Sequence, residues 1–274
     1  MNNMEKNIIL FIGEGDNTEK QIADNLKKIF FTDKNIKFYA YGTEIYTLYK
    51  KLMEYDFNTN IVDLLIESEK DINKKSELIK IKNGISRIYL FFDYDGHAQA
   101  NKAEWYSDNT IKEMLEYFKN ETDEGKLYIS YPMIEAVKDF KRIDNCNRRC
   151  KVSAKTNIDY KKLVGDISDF TAISKLIKRY WLAISRHSAK KSKCIINCKC
   201  DYAFFENYKE YQKNCSQENI FEQQIINYTN ESTIWVVSAF PFFLIDYFGE
   251  KLYIKVTAED DFAETLKIES YNCP

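Results

Sequence analysis

ILFIGEGDNTEKQIADNL, residues 9–26, changes abruptly from apolar to polar at a Gly-Glu-Gly triplet. Residues 7–13 form a short, continuous apolar run that is rich in isoleucine and closed by glycine, which predicts a buried β-strand. Apolar residues from Ile22 onward recur at helical spacing, and Asn17 or Thr18 can cap that helix. A buried strand followed directly by a one-sided helix is typical of a parallel sheet covered by helices.

The same alternation of strands and helices continues to about residue 140. Runs of this kind, rich in β-branched and aromatic residues, indicate a parallel sheet with both faces covered, so we predict an α/β fold. We assign residues 1–140 to this domain and residues 141–274 to a mainly helical, basic C-terminal region. The further predicted strands are residues 36–41, 86–92 and 126–130.

Weaker patterns follow the last of these strands. Pro132 stands where a helix would start. Residues 173–181 have helical periodicity, and two further helices are predicted around residues 220–228 and 237–248. Residues 252–256, LYIKV, are mostly apolar and predict a closing strand.

The composition is consistent with one large domain, or with a core domain and a smaller one. The chain has 274 residues, 45% of them apolar, and its scarcity of Gly (8) and Pro (3) argues against an all-β fold. The sequence contains no run of about 18 apolar residues that would indicate a membrane span, and its N-terminus MNNMEKN lacks a signal-peptide pattern. We therefore expect a cytoplasmic protein whose seven cysteines are reduced thiols.

Charges are distributed unevenly along the chain. Residues 138–199 contain 17 Lys or Arg against 5 Asp or Glu, whereas the rest contains 23 basic and 37 acidic residues. A basic segment on an acidic body is typical of a polyanion-binding region, and a solvated helical face is the alternative. The lysines and arginines of this segment are therefore candidates for contacts with a nucleic-acid backbone.

Acidic residues follow three of the predicted strands. Glu14 follows the first, Asp93 and Asp95 end the third, and Glu135 comes shortly after the fourth. In an open parallel sheet, functional groups collect at the carboxyl ends of the strands, and alternate residues of an extended segment point the same way. Crowded carboxylates repel one another unless a hard cation neutralises them, and Mg²⁺ prefers oxygen ligands. The sequence therefore predicts a Mg²⁺ site that can activate water and stabilise a phosphodiester in transit.

These motifs resemble those of the Toprim domain, the topoisomerase–primase module. Its pattern is a Glu-Gly after the first strand, here at Glu14, and an Asp-x-Asp after a later strand, here Asp93 and Asp95. The Glu-Gly-x-x-Thr-Glu form of residues 14–19 and the Ser-x-x-x-x-Glu form of residues 130–135 look like Toprim nucleases of the OLD (overcoming lysogenization defect) class and of abortive-infection systems. The resemblance covers about the first half of the chain and implies a Toprim-like sheet.

The resemblance also implies a function: Mg²⁺- or Mn²⁺-dependent cleavage of DNA or RNA in antiviral defence, often with a partner ATPase. Glu14, Asp93 and Asp95 carry over as catalytic metal-binding residues, with Glu14 as ligand or general base and Glu135 assisting. Glu19 departs from the family pattern, in which the second acid usually follows one residue sooner, so it is either a further ligand or a residue that caps the turn or faces solvent. The chain contains no Gly-x-x-x-x-Gly-Lys-Ser/Thr loop, so ATPase activity would come from the partner.

A haloacid-dehalogenase-like phosphatase is the rival enzyme class. Its nucleophile motif resembles residues 93–96, in which Asp93 would attack a phosphate, and Ser130 and residues 260–261 could stand in for its later motifs. This alternative leaves Glu14 without a role and places the nucleophile far from the N-terminus, where that family has it early. Substitution of Glu14 therefore separates the two enzyme classes.

The non-enzymatic alternative is a subunit that binds nucleic acid or a protein partner. Its acidic crevice would hold a metal weakly or not at all. Binding to a partner ATPase without any cleavage in Mg²⁺ or Mn²⁺ would favour this function.

Cysteines and histidines supply a weaker metal signal. Cys146, Cys150, Cys194 and Cys198 could form a structural tetrahedral Zn²⁺ site, although their three-residue spacing is not the tight spacing of strong zinc motifs, and unligated thiols are the alternative. His97, just after the Asp-x-Asp, could position a phosphate or water, or be a polar loop residue.

Aromatic residues cluster in two places near the C-terminus. Those between Tyr202 and Tyr211 lie among lysines and could stack on bases, or form a helix face packed in the core. Residues 240–248, FPFFLIDYF, are too apolar for an open surface, so they are core or a subunit interface such as that of a homodimer.

Overall fold

The structure, a computed structural model, divides the chain into two compact units. It describes residues 7–94, 107–138, 150–153, 160–162, 164 and 172–258. The first unit comprises residues 1–129 and the second residues 130–274. The division falls earlier along the chain than residue 140, where the sequence analysis placed it.

A five-stranded sheet forms the centre of the first unit. Its spatial order is β2-β1-β3-β5-β4. β1 runs parallel to both β2 and β3, and only the two-residue strand β4 is seen to pair antiparallel, with β5. The predicted α/β class with a mostly parallel sheet is confirmed. The strands are β1 (Ile8–Gly13), β2 (Asn35–Ala40), β3 (Ile85–Asp93), β4 (Lys119–Asn120) and β5 (Gly125–Ser130).

β1 is completely buried, as its continuous apolar sequence predicts. All six of its residues are buried, and the ring of Phe11 at its centre packs edge-on against Phe31, Tyr89 and Phe91. Aromatic pairs of this geometry add about 0.5–1.5 kcal/mol each beyond their buried area. β1 therefore gives rigid support to the residues that follow its carboxyl end.

Five helices accompany this sheet in the described part of the first unit. Three of them have side-chain caps, since Asn60, Asp71 and Ser107 each accept a hydrogen bond from a backbone N–H of the helix that they precede. The side chain of Asn17 makes no such bond to α1. The helices are α1 (Thr18–Phe30), α2 (Ile45–Glu54), α3 (Ile61–Ser68), α4 (Ile72–Ile81) and α5 (Asp108–Tyr117).

The second unit is mainly helical in its described residues, as predicted. A short antiparallel pair, β6 (Lys151–Ser153) with β7 (Thr233–Trp235), accompanies the helices. Residues 239–245 are buried within this chain, so the FPFFLIDYF segment contributes to the core. The helices are α6 (Lys178–Ile196), α7 (Tyr208–Asn214), α8 (Gln217–Glu231), α9 (Ala239–Phe248) and α10 (Glu250–Thr257).

Three local predictions in this unit are wrong, the last of them only in part. The predicted strand at residues 252–256 lies inside helix α10. Pro132 follows a cis peptide bond and starts no α-helix, and a 3₁₀ turn at Ile134–Lys138 comes next. The aromatic residues from Tyr202 to Phe205 precede α7 and lie outside any helix, so only Tyr208 and Tyr211 of this cluster lie on a helix, where Tyr211 is buried.

The cysteines do not all carry thiols. Cys150 is in a disulfide bond whose partner lies outside the described residues, which corrects the expectation of reduced cysteines throughout. A disulfide sulfur is not the thiolate that zinc requires, so the predicted four-cysteine site loses one ligand. Cys194, Cys198, Cys200 and Cys215 are not in disulfides.

Within the described parts of the chain, every helix is too short or too polar to cross a bilayer.

Gln224 ties helix α8 to strand β7 inside the second unit. Its side chain is fully buried, donates to the carbonyl of Trp235 and accepts from the N–H of the same residue. Gln224→Ala leaves both backbone groups without these bonds, so we expect the free energy of unfolding to fall by about 2–4 kcal/mol. Urea unfolding measures this loss. The exposed neighbour Glu222→Ala is the control, and an equal effect of both variants would contradict the assignment.

Candidate functional site at the carboxyl ends of β1 and β3

The backbone of Glu14 is fixed by a continuation of the sheet beyond its regular strands. The carbonyl of Gly13 accepts from the N–H of Tyr41 (2.8 Å), and the carbonyl of Glu14 accepts from the N–H of Gly42 (2.9 Å). Both donors belong to the segment that leaves β2. Glu14 is therefore held in place at the carboxyl end of β1, with its side chain half-buried.

The two glycines that flank Glu14 make room for close neighbours. A Cβ atom at Gly13 would lie 2.9 Å from the ring of Phe38, and one at Gly15 would lie 3.0 Å from a carboxylate oxygen of Glu19. The distance at Gly13 is shorter than Cβ atoms in proteins essentially ever show, so a side chain at this position would force a neighbour to move. Packing against the Phe38 ring thus favours glycine at position 13, whereas a side chain at position 15 would require the Glu19 carboxylate to shift.

Glu19 folds back onto the turn that carries Glu14. It is buried, and its Oε1 accepts a hydrogen bond of 2.9 Å from the N–H of Gly15. Because this places an acidic group in the first turn of α1, it also suits the positive end of the helix dipole. Glu19 therefore supports the turn, and a second role as metal ligand stays a prediction.

Asp93 ends the strand next to Glu14. β1 and β3 are parallel, and Gly13 pairs with Phe91. Glu14, the residue after β1, is therefore level with Phe92, one residue before Asp93 at the end of β3. Asp93 is half-buried. The buried Tyr94 that follows it donates to Asp108 of α5 (2.8 Å), which anchors the end of the strand.

The order of the strands reverses between β1 and β3. From β1 the chain turns to β2 on one side, and it later returns to β3 on the other side of β1. In open α/β sheets, ligands bind outside the carboxyl ends of the strands at the point where the order reverses, which here lies between β1 and β3. The sheet thus places the backbones of Glu14 and Asp93 at the carboxyl ends of the two strands that border the expected ligand crevice.

The other predicted acids are not among the described residues of the first unit. Asp95 and His97 lie outside the described residues. Glu135 belongs to the second unit, where it is buried in the 3₁₀ turn and forms an ion pair with Lys161 (3.3 Å). Where side chains are described, no three His, Cys, Asp or Glu residues form a metal-binding group.

The two described carboxylates alone fit a hard cation only in part. Their oxygen atoms suit Mg²⁺, which is usually bound through one or two protein carboxylates and keeps several waters. A three-carboxylate site, as the motifs predict, requires Asp95 as well. Tyr94 and its partner Asp108 were not predicted from the sequence, since a tyrosine between two acids carries no signal of an anchor.

Part of the basic segment has a structural role. Around Phe204, the guanidinium of Arg186 and the amine of Lys190 lie 4.8 and 5.1 Å from the ring centroid, and Lys193 donates to the carbonyl of the same residue. Arg186 also donates to two backbone carbonyls at the C-terminal end of α10. These three cations thus have contacts within the second unit, and the role in nucleic-acid binding stays a prediction for all of residues 138–199.

His187, which lies on helix α6, should make the stability of the protein depend on pH. Burial, followed by the charges of Lys191 and Lys190, holds its pKa well below the ordinary value of 6.5. The unfolded chain then binds a proton that the folded chain rejects, so stability present above pH 6.5 is lost as pH falls.

We therefore expect the free energy of unfolding of the wild type to fall by about 1.4 kcal/mol more per pH unit below 6 than that of His187→Gln. Urea unfolding at pH 5, 6, 7 and 8 measures the difference. Parallel pH profiles of the two proteins would contradict the burial of a neutral histidine.

The mostly parallel sheet is compatible with the Toprim-like fold that the motifs predict. The resemblance itself stays a prediction, because the structure tests the fold class and not the family. Comparisons of the chain with protein-family models, with curated proteins and with solved structures found no match.

Proposed function

We propose that the protein is a Mg²⁺-dependent nuclease that cleaves phosphodiester bonds in DNA or RNA. The observation that supports it best is the placement of Glu14 and Asp93 at the carboxyl ends of neighbouring parallel strands, at the point where the strand order reverses. Asp95 follows Asp93 by two residues and completes the proposed set of ligands, with Glu135 assisting.

Each acid has a distinct part in this proposal. Asp93 and Asp95 hold the cation, and Glu14 is a further ligand or takes the proton from the attacking water as general base. When bound, Mg²⁺ supplies a Lewis acid for the phosphoryl oxygen and an activated water. Glu19 keeps the Glu14 turn in shape through its bond to Gly15. A rigid first strand and a fixed turn are what such positioning needs.

The motif resemblance extends the proposal to a biological setting. We propose that the nuclease is the toxic effector of an antiviral, abortive-infection system of the OLD type, and that a partner ATPase controls it. The sequence has no phosphate-binding loop of the Gly-x-x-x-x-Gly-Lys-Ser/Thr form, which supports a separate source of ATPase activity.

A cleavage assay on mixed nucleic acids tests the proposed function. Single- and double-stranded DNA, linear RNA and folded tRNA are incubated with the protein in Mg²⁺, in Mn²⁺ and in excess chelator, with and without the product of the neighbouring gene. We expect cleavage of at least one substrate class in the metal ions and none in chelator. Failure to cleave under every condition, together with intact binding to a partner, would favour the non-catalytic subunit.

A further inference from the structure

A small cleft opens on the β2 side of the Glu14 turn. Its volume is about 140 Å³, and its apolar lining includes Leu10 of β1 with Leu78 and Ile81 of α4. These three side chains are at least 95% buried. The ring of Phe38, which also lines the cleft, is the one that packs on Gly13. The cleft thus shares a wall with the turn that carries Glu14.

Three lysines from three different elements line the same cleft. Lys20 comes from the first turn of α1, Lys37 from β2 and Lys74 from α4. Two carboxylates, those of Asp16 and Glu77, also line it, so the lining carries a net charge of +1. Such convergence of amines over an apolar floor is an arrangement that attracts an anion.

Asp16 lies between two of these lysines but does not engage them tightly. Its carboxylate oxygens are 3.9 Å from the amine of Lys20 and 3.7 Å from that of Lys74, beyond ordinary hydrogen-bond distance. All three side chains are roughly half exposed. Exposed ion pairs of this kind contribute little to stability, so the two amines can turn toward a ligand at small cost.

We propose that this lysine cleft binds a backbone phosphate of the substrate, next to the phosphodiester that is cleaved. The inference rests on the proposed function, because it takes the substrate to be a nucleic acid. Asp16 lies two residues beyond Glu14 in the same turn, so a strand that enters the candidate crevice has the cleft within reach of its neighbouring phosphate. Lysine amines supply point charges for such a contact, which holds the strand in place without reading its sequence.

Binding measured without cleavage tests this inference separately from the nuclease function. The affinity for a labelled 20-nucleotide single strand is measured by fluorescence anisotropy in chelator, at several salt concentrations. The variant Lys20→Gln/Lys37→Gln/Lys74→Gln removes the three amines of the cleft. The matched control, Lys27→Gln/Lys28→Gln/Lys80→Gln, removes the same charge from exposed positions on the same two helices. Thermal unfolding confirms that both variants are folded.

We expect the cleft variant to bind at least about tenfold more weakly near 0.1 M salt, with a salt dependence shallower by about 1 in log–log slope. The control should change affinity less than about threefold. Asp16→Asn should have the opposite sign and strengthen binding, because it removes the carboxylate that competes for Lys20 and Lys74, whereas the exposed Asp33→Asn should not.

Equal losses in the two triple variants would overturn the proposal, since they would mean a diffuse charge effect. A titration with a nucleoside monophosphate and with inorganic phosphate distinguishes the source of the phosphate. The cleft variant could lose binding of the nucleoside monophosphate and keep its affinity for the oligonucleotide. That result would also overturn the proposal and would assign the cleft to a free nucleotide. Cleft-dependent binding by a protein that cleaves nothing would support the cleft and reject the nuclease function.

Discussion

We expect Asp93→Asn to reduce metal-dependent cleavage by roughly 10³-fold or more. Asp93 is the proposed metal ligand that the structure fixes best, since it ends a buried strand and is followed by the Tyr94–Asp108 anchor. The amide keeps the size of the side chain but removes the charge that holds a divalent cation. A metal ion contributes several kcal/mol to the transition state, which corresponds to a loss of this size.

The control for this experiment is the exposed Asp24→Asn on α1, which should cleave like the wild type. The free energy of unfolding of Asp93→Asn should stay within about 1 kcal/mol of the wild type, because Asp93 is only half-buried. Single-turnover cleavage with excess enzyme measures the chemical step. Cleavage retained in a folded Asp93→Asn protein would remove the site assignment.

The second large effect is expected for Glu14→Gln, again a loss of roughly 10³-fold in cleavage. This variant also separates the nuclease from the haloacid-dehalogenase-like phosphatase. In a phosphatase Asp93 would be the nucleophile and Glu14 would have no chemical role, although both lie at the carboxyl ends of adjacent strands. Hydrolysis of a simple phosphate monoester is therefore measured beside nuclease activity.

Phosphate-monoester hydrolysis that survives Glu14→Gln and disappears in Asp93→Asn would support the phosphatase. Loss of nuclease activity in both variants, with no phosphatase activity in the wild type, is the result that we predict. Glu116→Gln, an exposed substitution on α5, controls for a general effect of charge. Because neither test relies on residues of the second unit, both apply directly to the β1–β3 crevice.

The strands that carry the site could be predicted from the sequence for a simple reason. β1 and residues 88–92 of β3 are buried on both faces, so these stretches are continuously apolar and end abruptly at Glu14 and Asp93. The order of the strands could not be predicted, because it depends on which side of β1 the crossovers pass. That order is what makes the carboxyl ends of β1 and β3 a ligand crevice.

The erroneous strand at residues 252–256 shows where local patterns are ambiguous. In helix α10 the buried residues are Leu252, Tyr253 and Val256, and Ile254 is 60% exposed, which is a helical spacing. A five-residue stretch with four apolar residues is too short for its period to be read, so a strand was an equally good interpretation.

Tertiary contacts decide the roles that composition leaves open. Glu19 lies one residue away from the family position, and only the structure shows that it bonds to Gly15. The charge of residues 138–199 suggested nucleic-acid contacts throughout, yet Arg186, Lys190 and Lys193 surround Phe204. A count of charges does not distinguish a cation that faces solvent from one that packs on an aromatic ring.

The location of a bound metal ion tests the central proposal most directly. An anomalous difference map from crystals grown with Mn²⁺ should contain a peak within about 2–2.3 Å of carboxylate oxygens of both Glu14 and Asp93, or one water further away. Asp95 should complete the coordination. If Mn²⁺ at saturating concentration binds elsewhere, or if the two carboxyl groups lie too far apart to share an ion or its water shell, the proposed site is wrong.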